Sequence, residues 1–256
     1  MHFRLECGQN VTRSDVEDFR KSLQKTPYQA NRALALLSKM FTLAVSWEWR
    51  ADNPVIGIEK YQEEKRDRWL DEEELNRLWG VLDRHSERLT AYVFKFLILT
   101  GARKGEVLGA TWDQFDLEKG VWTKPSHLTK QKKKEHLPLS EKAIEVLQIV
   151  KKQIPEDSLH VFPGRIEGEP LKEIKTFWKT ALKEAKVENV RVHDLRHTHA
   201  SHLVSSGLSL SIVGKLLGHT QASTTQRYAH LADAPLRQAA ELFGSKIRKS
   251  MPEEVM

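Results

Sequence analysis

Cysteine is almost missing from this sequence: Cys7 is the only one in 256 residues. No internal disulfide framework can form, and this usage fits a reducing compartment. Long apolar runs are missing too. No window approaches eighteen consecutive apolar residues, so no membrane span is expected. The opening "MHFRLECGQNVTRSDV" lacks the apolar core of a signal peptide. Internal repeats are absent. Acidic excess is absent as well: 41 Lys and Arg face 35 Asp and Glu, giving a net charge of +6. That balance suggests a polyanionic partner, although a modest excess also occurs in proteins that bind none. What is present is ordinary globular material. The chain is 39% hydrophobic, enough for a real core, and long enough for one large domain or a catalytic domain plus a smaller one.

The periodicities are mostly helical. "SDVE" at Ser14 reads as a capping box with Glu17 and predicts a helix start. Thr26-Pro27 opens a second helix, with Leu34, Leu37, Phe41, Ala44 and Val45 at helical spacing, and Asn53-Pro54 is expected to stop it. "VIGIEKYQEEKRDRW" has no clear period and reads as a linker. Asp71 opens an amphipathic helix. "LTAYVFKFLILTGA" is an apolar helix ending near Gly101, and "GEVLGATW" a short helix after a turn. "VWTKPSHLTKQKKKEHLPLS" predicts two or three short strands around a lysine-rich turn. Ser140 caps a helix, and "KEIKTFWKTALKEAKV" is another. "VRVHDLRHTHASHLVSSGLSLSIVGKLLGHTQASTTQRYAHL" reads as helix, turn at Ser206-Gly207, short helix and further helix, followed by an amphipathic tail. The expected fold is mainly α with a small antiparallel β-sheet (α+β).

That last stretch, residues 190 to 231, holds six histidines. Each candidate in the chain has an ordinary explanation when taken alone. Arg103 follows a glycine-containing turn, as an exposed helix-cap arginine would. His193 and Arg196 lie three apart and share a helix face. His219 follows an apolar helix and a glycine, as a cation at a helix C-terminus does. Tyr228 fits core packing. Together they form an ordered set: Arg, Lys, HxxR, GH, Tyr.

The matching text is "TGARKGE", "TKQKKKEHLPLS", "HDLRHTHAS" and "LLGHTQASTTQRYAH". With its order, the HxxR spacing, the nine residues from His219 to Tyr228 and the eight from Lys130 to Pro138, the chain resembles the tyrosine recombinases, or phage integrases, from about residue 12 to 248. The resemblance implies a tyrosine-recombinase catalytic domain over 70–256, preceded by a linker over 61–69 and a helical core-type DNA-binding domain over 1–60. That family domain usually has four or more helices where this one has about two, so it is expected to be N-terminally incomplete. An arm-binding domain is not expected.

The resemblance also assigns roles. Arg103 and Arg196 would clamp the non-bridging oxygens of a phosphodiester, as planar, permanently charged forks can. Tyr228 would be the nucleophile, storing bond energy in a reversible 3′-phosphotyrosine ester. Lys130 would protonate the leaving 5′-oxygen, with Lys132, Lys133 and Lys134 as phosphate contacts or solvated turn residues. His193 would handle the tyrosine proton, and His219 would hydrogen-bond the phosphate in the transition state. Glu106 would either orient active-site groups or cap a helix. His197, His199 and His202 have no place in the pattern, and His199 and His202 are expected to pack or lie at the surface. No cofactor and no metal are implied. The implied partners are double-stranded DNA attachment sites and further copies of the chain: a tetramer on paired sites, a monomer in free solution, with a directionality factor or a host DNA-bending protein as accessory. The implied place is the bacterial cytoplasm, on the nucleoid.

Three rival readings predict different chemistry. His193 and His197 stand at helical i, i+4 spacing, which invites a metal-dependent hydrolase, but no glutamate sits beside the first histidine as in zincins and carboxylates are scarce nearby. A non-catalytic DNA-binding module would share the charge, yet it would not need the whole set of polar residues. A type IB topoisomerase shares the tyrosine chemistry, but "LLGHT" and "QRYAHL" are nearer to integrases.

Overall fold

The structure, a computed structural model, describes residues 10–63, 67–125, 134–219 and 221–248. The chain divides into two compact units, Met1–Asp67 and Arg68–Met256. No described helix is long and apolar enough to cross a membrane.

In the first unit, α1 (Arg13–Ser22) is capped two residues before the expected cap. Thr12, not Ser14, is the N-cap. Its hydroxyl accepts from the Asp15 backbone N–H, and the Asp15 carboxylate accepts from the Thr12 N–H in return. Both partners of this box are short and lie three apart, so it closes without the longer Glu17 side chain. α2 (Pro27–Ser46) begins at the expected proline but ends well before Asn53. Glu48 adopts a left-handed φ of 60°, and Trp49 and Glu48 donate to the Ala44 and Val45 carbonyls. This is a Schellman end with glutamate where glycine is usual. Val16, Leu34, Phe41 and Val55 form the small core. Part of the stretch read as a linker packs on these helices. Val55 is buried in that core, and Asn31 brackets Tyr61, donating to its carbonyl and accepting from its N–H at 2.8 Å each.

The second unit opens with Leu70, which is fully buried. α3 (Glu72–Arg84) is capped by Asp71, and α4 (Arg88–Thr100) is buried almost all round. Gly101 ends α4 in the left-handed region at φ 60°. A side chain is excluded there twice over, because a Cβ would lie 2.7 Å from the His199 ring and 2.9 Å from Leu217. α5 (Lys104–Leu108) follows directly. β1 (Phe115–Asp116), β2 (Val121–Lys124) and β3 (Glu135–Pro138) make one antiparallel sheet in that order, with Trp122 opposite Leu137 and Lys124 opposite Glu135. α6 (Glu141–Gln153) is capped by Ser140, and α7 (Lys175–Glu184) stacks Phe177 and Trp178 on Phe94 of α4.

The rest is α8 (Asp194–Ser205), α9 (Leu210–Leu216), α10 (Ala222–Gln226) and the tail helix α11 (Asp233–Arg248). The main core wraps α4. A satellite core of Ala200, Val204, Val213, Leu217 and Tyr228 joins α8 and α9 to the segment after α10. The architecture is mostly helical with one small sheet, the α+β class expected from the sequence.

Candidate active site

Arg196 organises the site. It lies on the first turn of α8 and is only 4% exposed. Its guanidinium donates to the carbonyl of Gly101 at 2.9 Å and to that of Leu217. These residues are the C-caps of α4 and α9, where backbone carbonyls lack helical partners and carry partial negative charge. One cation therefore closes two helix ends. Burial, and next the nearby Arg103, lower its pKa to about 10, which still leaves it charged at neutral pH.

Arg103 stands at the N-cap of α5, partly exposed. Its guanidinium meets Glu106 Oε1 at 2.6 Å, while Glu106 Oε2 takes the Arg103 backbone N–H and the Lys124 ammonium at 2.7 Å. Glu106 thus both caps α5 and orients the Arg103 guanidinium. Burial pushes its carboxyl upward, but the Lys124 charge and the hydrogen bonds from Lys124 and Arg103 outweigh that and hold it below the ordinary value. Lys124 is 3% exposed; burial lowers its pKa against the pull of Glu106. Nothing in the sequence reading pointed to Lys124. The signal was there: it alternates with Trp122 on β2, so it shares the inward face.

Tyr228 is 2% exposed, with its ring in the satellite core. Its hydroxyl meets Nδ1 of His197 at 2.5 Å. His193 is exposed at the N-cap of α8 and meets the His197 ring edge-on, centroids 5.1 Å apart. Burial first, then Arg227 and His193, lower the pKa of His197 to about 4, so its ring is neutral at pH 7. His219 is half-buried. Its Nδ1 lies 2.9 Å from the Thr225 hydroxyl, and burial followed by Arg196 and Arg103 brings its pKa to about 4. Gly218, at φ 64°, allows the Glu135 carboxylate to pack where a Cβ would stand, which ties β3 to the turn that carries His219.

Arg103, His193, Arg196, His219 and Tyr228 therefore come together, near enough to perturb one another's charge states. Lys130, and with it Lys132 and Lys133, lies outside the described residues. His199 and His202 pack, as expected. His199 Nδ1 meets the Ile98 carbonyl at 3.0 Å, and His202 Nε2 meets the Leu70 carbonyl at 2.9 Å. Among the described residues no cluster of three or more His, Cys, Asp or Glu could hold a metal ion. The gathered set can bind an anion through two guanidiniums and place a phenol oxygen beside it.

Comparison with known proteins agrees with this fold. Residues 68–234 match the sequence profile of the phage integrase family. The chain is 32% identical to the integrase of Salmonella phage P22 over 221 residues, 78% of this chain and 54% of that protein. It is 31% identical to the shufflon-specific DNA recombinase of Escherichia coli over 77% of this chain and 50% of that one. It therefore spans about half the length of these two relatives. Tyrosine recombinase XerD of Vibrio vulnificus is 28% identical over 93% of this chain and 81% of its own length. Among solved structures, the Tn1549 transposon integrase in complex with a circular intermediate DNA superposes with a TM-score of 0.74 at 16% identity, covering 86% of this chain and 81% of that one. A lambda integrase dimer bound to a core site gives 0.72 at 18% identity, covering 87% and 81%. Most of the second unit, with Arg103, Lys130, His193, Arg196, His219 and Tyr228, lies within the matched span, and the chain belongs to the phage integrase family, the tyrosine recombinases.

Proposed function

We propose that this chain is a site-specific DNA recombinase, which cleaves and rejoins strands through a 3′-phosphotyrosine intermediate in integration or excision of a prophage or mobile element. The observation that carries this reading is the meeting of Arg103, Arg196 and His219 with the Tyr228 hydroxyl in one place. The Tyr228 oxygen attacks the phosphorus, and the bond to the 5′-oxygen breaks. The two arginines and His219 take up the charge that grows on the non-bridging oxygens. The leaving 5′-oxygen needs a proton, which we assign to Lys130, between β2 and β3 in the sequence. Rejoining reverses each step. No metal is needed, because the cations are built into the chain.

The substrate is double-stranded DNA carrying attachment sites. The integrases of similar fold bound to DNA support that partner, as does the net charge of +6. The division of labour is a DNA-binding segment over 1–60, a linker over 61–69 and catalysis over 70–256. Leu236, Leu242 and Phe243 of α11 are 63–67% exposed, which supports docking of this helix on a second copy in a tetramer on paired sites. The free chain is then a monomer, and deleting residues 235–256 impairs synapsis while sparing single-site binding. A directionality factor or DNA-bending protein assists, and the work is done in the bacterial cytoplasm on the nucleoid.

The test is covalent capture on a pool of suicide-nicked duplexes with randomised core sequence. Wild-type protein forms an adduct on the 3′-phosphate, leaves a free 5′-hydroxyl and works in EDTA. Tyr228→Phe keeps fold and binding but forms none. An adduct that survives Tyr228→Phe, or that vanishes with chelator, defeats this reading.

A further inference from the structure

We propose that His197, and not His193, is the base that takes the phenolic proton of Tyr228 when that oxygen attacks phosphorus. This rests on Tyr228 being the nucleophile. The geometry points to it directly. His197 Nδ1 lies 2.5 Å from the Tyr228 oxygen, within range of a strong hydrogen bond. Imidazole nitrogen is the better acceptor of the pair and phenol the better donor, so Tyr228 donates and Nε2 carries the ring proton. His193 sits one helical turn away, exposed, and meets His197 rather than the hydroxyl. The Tyr228 side chain is buried in the satellite core, so His197 is the acceptor at hand where bulk water is kept away.

The proton balance is complete. The O–H bond of Tyr228 breaks, the proton passes to His197 Nδ1, and the phenol oxygen bonds to phosphorus. The P–O5′ bond breaks, and the 5′-oxygen receives its own proton from the acid assigned to Lys130. On rejoining, the imidazolium returns its proton to the tyrosine oxygen. The charged and titratable groups that face His197 include Tyr228, Arg227, His193, Asp194, Arg196 and His219. Burial and these cations keep the free ring unprotonated at pH 7 and therefore able to accept. A bound phosphodiester brings negative charge beside the arginines, which offsets their repulsion and makes the ring more basic when the proton must move.

The experiment uses the same nicked-duplex pool, with a second set whose leaving oxygen is replaced by a 5′-bridging sulfur. Sulfur leaves without a proton, so the set rescues loss of a general acid but not of a base. His197→Asn keeps an amide oxygen that accepts a hydrogen bond but takes no proton, and His197→Gln is the second variant should the first melt early. We expect each folded variant to bind DNA normally and to form adduct about 100-fold or more slowly at pH 7. The sulfur substrate leaves that loss in place while rescuing Lys130→Ala. The deficit shrinks as pH rises toward 9 and hydroxide ionises the phenol. A His197→Asn rate within threefold of wild type, or a loss that sulfur removes, overturns the assignment. A wild-type protein that makes no adduct defeats the nucleophile itself, a separate outcome. Nitrogen-15 NMR of the free protein gives an independent reading: Nδ1 is unprotonated and Nε2–H protonated at pH 7, and the opposite tautomer overturns the assignment without any DNA.

Discussion

Replacing Lys124 by methionine separates the electrostatic support of the site from its chemistry. The Lys124 ammonium and the Glu106 carboxylate lie 2.7 Å apart, with side chains 4% and 3% exposed. Methionine keeps the length and apolar stem of lysine, so packing against Trp122 changes little, but Glu106 is left as a buried anion. Breaking a buried pair from one side costs about 3–5 kcal/mol. Arg103 remains on Glu106 at 2.6 Å and is 28% exposed, which sets the expectation at the lower end, about 3 kcal/mol at pH 7. The deficit shrinks with acid. In the wild type the folded pKa of Glu106 lies below its ordinary value, so its contribution is present above the unfolded pKa and is lost as pH falls through the folded one. In Lys124→Met burial is less opposed and the carboxyl rises, so the variant regains stability relative to wild type as pH falls toward 4. Urea unfolding at pH 7 and pH 4 measures both. Adding Glu106→Gln to Lys124→Met removes the stranded charge and recovers most of the pH 7 deficit. A deficit below about 1 kcal/mol at pH 7, or one that does not vary with pH, refutes the buried-pair reasoning.

Arg103→Ala and Arg196→Ala each suppress adduct formation, with about 3–4 kcal/mol of transition-state stabilisation lost in single-turnover rates. Arg196→Ala also lowers the melting temperature, because two helix-end carbonyls lose their donor, whereas Arg103→Ala does so less. Gly101→Ala destabilises by about 1–3 kcal/mol from overpacking against His199 and Leu217, read in thermal unfolding, and an unchanged melt contradicts the packing described. DNA affinity falls steeply between low and physiological salt, because phosphate contacts release counterions; a flat fluorescence titration across that range counts against a basic DNA-binding surface.

How much of this was legible beforehand depended on whether the signal was local. The mostly helical fold and the small sheet followed from periodicity, and Asp71 and Ser140 announced their helices because a cap is a one-residue decision. Thr12 was missed because Ser14 carried the box pattern with Glu17, whereas the box that forms closes Thr12 with the shorter Asp15. The end of α2 was hidden because Glu48 adopts a conformation normally signalled by glycine. At the site, the ordered set of Arg, His and Tyr could be read as a pattern. The Lys124–Glu106 pair spans eighteen residues and the His197–Tyr228 contact thirty-one. Neither pair lies within one element, so no local period connects its members and only the packed chain brings them together. His197 was set aside because the ordered pattern has no place for it, while its actual neighbour is the tyrosine.

The double anchorage of Arg196 makes the anion clamp a checkpoint on the fold. The same guanidinium that would meet a phosphate is held by backbone carbonyls 95 residues upstream and 21 downstream. Its position is right only when α4 and α9 have both terminated in register, so a misfolded or partly assembled chain has no competent clamp to offer DNA. The enzyme proposed above, built this way, is silent until it is whole. The same linkage makes lesions at Gly101 or Leu217, neither of which needs to touch DNA, look like catalytic defects in any screen that scores recombination alone.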